Sequence, residues 1–80
     1  MTYSEIISIR LQQLCEQEGI TINRLATRAG ITQSTVENIM NGQTRNPTLK
    51  TLCNLASGLK MTVSQLLDFP EINELQIEED

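Results

Sequence analysis

Apolar residues recur along the chain at intervals of three and four positions, the spacing of one face of an α-helix. The first such series contains Ile7, Leu11 and Leu14 and ends before Gly19, and it predicts a helix over about residues 3–18. No stretch alternates apolar and polar residues for long enough to predict a β-strand. The pattern therefore predicts an all-α protein.

Residues 22–41 predict two short helices, over about residues 22–28 and 33–41, joined by a tight turn. Thr21 and Thr32 are placed to cap their N-termini. Gly30 stands where the first helix must stop, because glycine tolerates the positive φ of such a turn. The inward-facing residues of the two helices are Leu25, Ala26, Ala29, Val36 and Ile39. The opposite face of the second helix is polar and free of any core role, with Gln33, Ser34, Glu37 and Asn38.

The C-terminal half predicts two further helices, with Thr48 and Thr62 placed to cap their N-termini. Their apolar residues are Leu49, Leu52, Cys53, Leu55, Ala56, Val63, Leu66 and Leu67. Phe69-Pro70 closes the domain, so residues 1–70 are expected to form one compact five-helix domain. Residues 71–80 form an acidic tail, which is either a solvated end or docks against the domain or a second subunit.

The stretch 22–41 resembles the helix-turn-helix of the phage repressor and Cro family, also called the XRE family. Ala26, Gly30 and the apolar residues at the other constrained positions match that motif: Leu25, Ile31, Val36 and Ile39. The resemblance extends from about Ile7 to Leu67 and implies a lambda-repressor-like fold. It also implies a sequence-specific regulator of transcription that binds double-stranded DNA, more narrowly a repressor, with the third helix in the major groove.

Some positions depart from the family's pattern. Members often carry an arginine and an acid where this chain has Cys15 and Met40, so a packed apolar contact is expected in place of a charged pair. Ile22 stands where a glutamine usually contacts a phosphate, and it cannot donate a hydrogen bond. Members often have a glycine at the place of Lys60, whereas here the glycine is Gly58.

The resemblance places a set of polar side chains against bases, namely Gln33, Ser34, Thr35, Glu37 and Asn38. Glutamine and asparagine can pair with adenine, a threonine methyl can contact a thymine methyl, and a glutamate can accept from cytosine N4 or hold Arg45 in place. Phosphate contacts are expected at helix N-termini and in the loop before the fourth helix, from Thr21, Asn23, Thr32, Thr44, Arg45, Asn46, Thr48 and Lys50.

The net charge of the 80-residue chain is −4, which opposes DNA binding until its distribution is considered. The tail holds five acidic residues, whereas residues 1–70 hold five acidic and six basic ones. The domain is therefore slightly basic, and a modest electrostatic attraction to DNA is expected.

The composition of the chain argues against several other classes of protein. The chain has two cysteines and no histidine, which excludes the usual zinc spacings, and neither metal nor cofactor is expected. No nucleophile stands beside a base, so the chain is not expected to be an enzyme. It has no apolar run of the ~20 residues that span a membrane and no visible signal peptide, so a cytoplasmic location is expected. Cys15 and Cys53 are interpreted as small buried thiols, with a disulfide or redox switch as the alternative.

One subunit reads too few base pairs to select a genomic site, so a two-fold homodimer is expected, through the fifth helix and tail or through the first helix. Ile6 and Ile9 either widen the buried face of the first helix or belong to a dimer contact. Two other functions stay open. One is an antitoxin that represses its own operon and binds a toxin, and the other is a protein-interaction module that has lost DNA binding.

Overall fold

Six α-helices form the regular structure of residues 3–42 and 47–74, which are the residues that this computed structural model describes. The helices are α1 Tyr3–Glu18, α2 Ile22–Ala29, α3 Gln33–Met40, α4 Leu49–Gly58, α5 Val63–Leu67 and α6 Pro70–Asn73. These ranges contain no strand, and the predicted all-α fold is confirmed.

Threonine side chains fix where α2, α3, α4 and α5 begin. Each accepts a hydrogen bond from the main-chain N–H three residues later, one of the amides that a helix start leaves unpaired. The four capping residues are Thr21, Thr32, Thr48 and Thr62. At α5 the Thr62 N–H also donates to Gln65 Oε1 at 2.9 Å, which completes a capping box. The predicted capping roles are confirmed.

The core lies between α1, α3, α2 and α4. α2 packs against both α3 and α4, while α1 packs against α3. The side chains with the least solvent exposure are Leu11, Leu25, Val36, Ile39, Leu55 and Leu66. Cys15 and Met40 are buried in this same core, in keeping with their apolar character. Ile6 is buried as well and widens the inner face of α1.

The end of the domain differs from the sequence prediction, because a sixth short helix follows the five expected ones. It begins at Pro70, the residue expected to close the domain, since the fixed φ of proline suits the first turn of a helix. The preceding Phe69 is buried, and the Arg10 guanidinium lies 5.0 Å from the centre of its ring. Arg10 also donates to the carbonyls of Leu66, at 3.0 Å, and Gln65, at 3.1 Å. α1 therefore fixes the end of α5.

Two apolar residues of α4 are exposed instead of buried. Leu49, in the first turn, is 68% exposed because it lies beyond the edge of the core. Cys53 is exposed because the buried face of α4 passes through Leu55 and Ala56. The prediction of two buried thiols is right for Cys15 and wrong for Cys53, and both thiols are free.

Candidate nucleic-acid interface

α2 and α3 are joined by a tight turn at Gly30. Its φ is +70°, in the left-handed region, where a residue with a Cβ is disfavoured by about 1–2 kcal/mol. The Gly30 N–H donates to the carbonyl of Thr27 at 3.3 Å, and the Ile31 N–H donates to that of Ala26 at 3.1 Å. These two bonds form a Schellman C-cap. The predicted turn is confirmed, and it fixes the angle at which α3 leaves α2.

The inner surfaces of α2 and α3 are part of the core. Leu25 and Ala26 of α2 are buried, and so are Val36 and Ile39 of α3. Ile31, in the connection between them, is half-buried against the same cluster. The packing leaves the other side of α3 directed away from the core.

That outer side of α3 carries exposed polar side chains, which we call the α3 polar face: Gln33, Ser34, Glu37 and Asn38. Gln33 Nε2 donates a hydrogen bond to Glu37 Oε1 at 2.9 Å, across one turn of the helix. Thr35, the fifth predicted base-contact residue, is half-buried, and its hydroxyl lies 2.8 Å from that of Thr32. The Thr35 hydroxyl is thus hydrogen-bonded to Thr32, the N-cap residue of α3.

Two serines of α1 hold the C-terminal end of α3. Ser8 Oγ donates to the carbonyl of Met40, and Ser4 Oγ donates to that of Gly42 at 3.3 Å. Ser8 is only 6% exposed, so its hydrogen bond is made away from solvent. Sequence reasoning missed both serines. The available signal was their position beside the apolar series of α1, where a polar residue needs a buried partner.

The predicted phosphate-contact residues that the structure describes lie in or beside the first turns of α2, α3 and α4. All are exposed: Thr21, Asn23, Thr32, Thr48 and Lys50. The hydroxyls of the three threonines accept hydrogen bonds from amides of their own helices. The remaining three, Thr44, Arg45 and Asn46, lie outside the described residues.

Two arginines add positive charge along α2, Arg24 near its start and Arg28 in its last turn. Arg24 and Arg28 are exposed and line a shallow depression together with Thr21 and Glu18. Ile22, by contrast, is half-buried and packs against the core. The first residue of α2 is therefore used for packing, as its apolar side chain suggested.

Gly58 allows α4 to approach α2 closely. A Cβ at this position would lie 3.1 Å from the main-chain nitrogen of Ala29 and 3.2 Å from Leu25 Cδ1. A side chain of any size would push the two helices apart. The glycine in α4 therefore serves close packing, and it fixes α4 against the helix-turn-helix unit.

Lys60 has the backbone conformation that family members often give to glycine at this place. Its φ is +59°, and it is the only residue other than glycine with a positive φ in the described ranges. The Lys60 N–H donates to the carbonyl of Ser57 at 3.0 Å, and the Met61 N–H donates to that of Ala56 at 2.9 Å. α4 therefore ends in the same type of cap as α2, but with a lysine instead of a glycine at the position of positive φ.

Among residues 3–42 and 47–74, no group of three or more histidine, cysteine, aspartate or glutamate side chains is placed to hold a metal ion. None of the helices in these ranges is both long and apolar enough to cross a membrane. Burial raises the pKa of the Cys15 thiol above its ordinary value, which opposes formation of a reactive thiolate.

A fixed turn, a buried inner surface and an exposed polar second helix define a helix-turn-helix unit of the kind that binds DNA. The chain belongs to the Cro/C1-type helix-turn-helix DNA-binding family, whose model matches residues 10–71. The predicted family is confirmed, and with it the class of function, a DNA-binding regulator of transcription.

Solved structures with the same fold include proteins of similar length. Prophage Lp1 protein 11 has 39% identical residues and a TM-score of 0.82, over 94% of this chain and 99% of that one. The restriction-modification controller protein C.AhdI from Aeromonas hydrophila has 28% identity and a TM-score of 0.72, over 79% and 94%. SinR, a master regulator for biofilm formation solved in complex with DNA, has 29% identity and a TM-score of 0.70, over 78% and 98%. Among curated proteins, none matches this chain.

Proposed function

We propose that this protein recognises a specific sequence in double-stranded DNA and represses transcription there, with α3 inserted in the major groove. The observation that supports this most directly is the α3 polar face, exposed on a helix whose other side is held in the core. A helix fits the major groove of B-DNA, where each base pair presents a distinct set of donors and acceptors. The DNA complex of SinR, a protein of similar fold, makes this mode of action plausible for the chain.

The residues proposed to read bases are Gln33, Ser34 and Asn38 of the α3 polar face, together with Thr35. Gln33 and Asn38 carry carboxamides, which can donate and accept at one adenine edge. Ser34 can either donate or accept a hydrogen bond. Thr35, whose hydroxyl is bonded to that of Thr32, contributes its methyl group to a thymine methyl. Glu37 lies on the same face and accepts a hydrogen bond from Gln33.

Phosphates are proposed to lie against the N-termini of α2, α3 and α4 and against the loop before α4. Free main-chain amides and the helix dipole favour an anion there. The residues assigned to this role are Thr21, Asn23, Thr32, Thr44, Arg45, Asn46, Thr48 and Lys50. Such contacts orient the protein on the duplex and carry no sequence information of their own.

A homodimer is proposed to place two copies of α3 on half-sites about one helical turn apart. The support for it is an apolar groove between α1 and the end of the domain, lined by Ile9, Phe69, Arg10 and Glu71. Ile9 is 40% exposed, so its apolar side chain is available for contact with a second copy. The groove therefore favours α1 and α6 as the contact surface.

Selection of bound sites from random duplexes, followed by titration of the selected duplex, tests the proposed function. Gln33→Ala should lose preference at one base pair, with affinity for the selected site falling by a factor that corresponds to ~1–3 kcal/mol. Affinity for random DNA should stay the same, because the phosphate contacts remain. Gln17→Ala, which changes an exposed glutamine of α1, is the matched control. Failure of the wild-type protein to enrich any sequence would refute the proposal.

A further inference from the structure

The carboxamide of Gln33 is tied to a carboxylate one helical turn away. Gln33 Nε2 donates to Glu37 Oε1 at 2.9 Å, and both side chains are exposed on the α3 polar face. An ionised carboxylate can only accept hydrogen bonds. The nitrogen of the Gln33 amide therefore faces Glu37, and the amide oxygen faces away from it.

This hydrogen bond fixes the orientation of the Gln33 amide, which in a free glutamine can rotate by half a turn. Rotating the amide by half a turn would bring its oxygen against a carboxylate oxygen, so the hydrogen bond would be lost and two acceptors would meet. The amide nitrogen carries two hydrogens, and only one of them is used by Glu37. When Glu37 takes the hydrogen trans to the amide oxygen, the cis hydrogen and the oxygen form a donor and an acceptor side by side on the other edge of the amide.

That edge matches one base better than the others. Adenine presents an acceptor, N7, beside a donor, the N6 amino group, whereas guanine presents two acceptors, N7 and O6. A glutamine with a fixed donor and acceptor can make two hydrogen bonds to adenine and one to guanine. The order of the two groups along the edge also fixes which way round the adenine must lie.

We propose that Glu37 is a positioning residue that gives Gln33 its preference for adenine, instead of reading a base itself. The inference rests on the proposed function, because it concerns the same face of α3. It also differs from the expectation that Glu37 accepts from cytosine or holds Arg45. Glu37 Oε1 accepts from Gln33, so a cytosine contact would have to use the other carboxylate oxygen or displace Gln33 and free its amide.

A double-mutant cycle on DNA binding tests this proposal. Wild type, Glu37→Ala, Gln33→Ala and the double variant are titrated with the selected site and with a duplex in which the A·T pair that depends on Gln33 is replaced by G·C. Glu37→Ala should lower the preference for adenine by about threefold to tenfold. In the Gln33→Ala background, Glu37→Ala should cause no further loss of preference, because the residue on which it acts is gone.

Two further variants separate positioning from other roles of the carboxylate. Glu37→Gln retains an acceptor oxygen and should restore part of the adenine preference, although the negative charge is gone. Glu16→Ala, which removes an exposed carboxylate of α1, is the matched control for the lost charge. It should leave the preference for adenine unchanged. Thermal unfolding of each variant, followed by circular dichroism, verifies that α3 still folds.

Three results would overturn the proposal. The first is that Glu37→Ala lowers base preference as much in the Gln33→Ala background as in the wild type, or lowers the preference for a C·G pair elsewhere in the site. The second is an unchanged adenine preference in Glu37→Ala. The third is a Gln33-dependent base pair that is not A·T. The wild-type selection alone tests the proposed function, so a failure there is distinguishable from a failure of the Glu37 assignment.

Discussion

The hydroxyl of Ser8 donates a buried hydrogen bond to the main-chain carbonyl of Met40, which joins α1 to the last turn of α3. The final carbonyls of a helix have no partner within that helix, and one that is buried needs a partner from elsewhere. Ser8 supplies this partner, since the two residues are distant in sequence and adjacent in the core. The end of α3 is thus positioned by a residue outside the helix-turn-helix.

Replacing Ser8 by alanine should therefore destabilise the domain. The Met40 carbonyl would remain buried without its donor, which costs about 1–2 kcal/mol in the free energy of unfolding. Urea unfolding followed by circular dichroism measures this. Ser64→Ala, which changes an exposed serine of α5, should alter stability by less than about 0.5 kcal/mol. Equal effects of the two substitutions would contradict the role given to Ser8.

Lys60→Gly should stabilise the protein. Lys60 has a φ of +59°, where the Cβ of a non-glycine residue is strained. Removing that strain should outweigh the greater freedom of glycine in the unfolded chain and leave a gain of about 0.5–1 kcal/mol. In a domain of this size such a gain raises Tm by a few degrees, roughly 2–8 °C. Lys60→Ala removes the same charge but keeps the Cβ, so a comparable rise in Tm for that variant would show that the gain has another cause.

Gly58→Ala should destabilise the protein although alanine is the better helix former. The new Cβ would lie 3.1 Å from the main-chain nitrogen of Ala29, an atom of α2 that cannot move without its helix. Crowding of this kind costs ~1–3 kcal/mol, which exceeds the gain in helix propensity of up to ~1 kcal/mol. The neighbouring Ser57 is exposed, and Ser57→Ala should be neutral or slightly stabilising. Denaturant unfolding of both variants decides the matter, and a more stable Gly58→Ala protein would show that α4 can shift.

The two thiols should differ in reactivity. Cys53 is exposed, whereas Cys15 is buried and burial raises its pKa, so its thiolate is disfavoured. A thiol reagent that produces a coloured product should label one cysteine per native chain at neutral pH and both in denaturant. Cys53→Ser should abolish native labelling and Cys15→Ser should leave it unchanged. Rapid labelling of the native Cys53→Ser variant would indicate that Cys15 becomes exposed through local opening.

Ile9→Glu should weaken self-association if the groove between α1 and α6 is the dimer contact. Ile9 is 40% exposed, so a charge there is tolerated in the monomer and opposed in an apolar interface. Sedimentation velocity at tens of micromolar should show dimer for the wild type and monomer for the variant. Leu49→Glu changes another exposed large apolar residue and should leave the dimer intact. Monomer for the wild type, with and without DNA, would refute the dimer.

The features that the sequence predicted well are those with local causes. Thr32 caps α3 and Gly30 ends α2 because a hydroxyl and a positive φ act within a few residues of their own position. The buried face of α3 was also predictable, since Val36 and Ile39 are spaced as one side of a helix. Pro70 illustrates a local signal that was misread, because a proline that ends one segment can equally begin a helix.

The features that the sequence did not predict depend on contacts between distant elements. The bond from Ser8 to Met40 and the approach of Gly58 to Ala29 require knowledge of how the helices pack. The contact between Gln33 and Glu37 is different, because residues four apart on a helix are always neighbours. It was therefore predictable in principle from the spacing of the two residues.

The close contact at Gly58 also bears on how the protein adapts to different operators. Because Gly58 lets the end of α4 lie close against Ala29 of α2, α4 is packed onto the helix-turn-helix unit before any duplex is encountered. With the proposed interface, a half-site whose groove width does not fit the protein must then be deformed, because the helices do not adjust. The energy of that deformation depends on the base steps involved, including steps that no side chain touches. The bound fraction of each site would thus depend on the stiffness of the duplex as well as on the bases that α3 contacts.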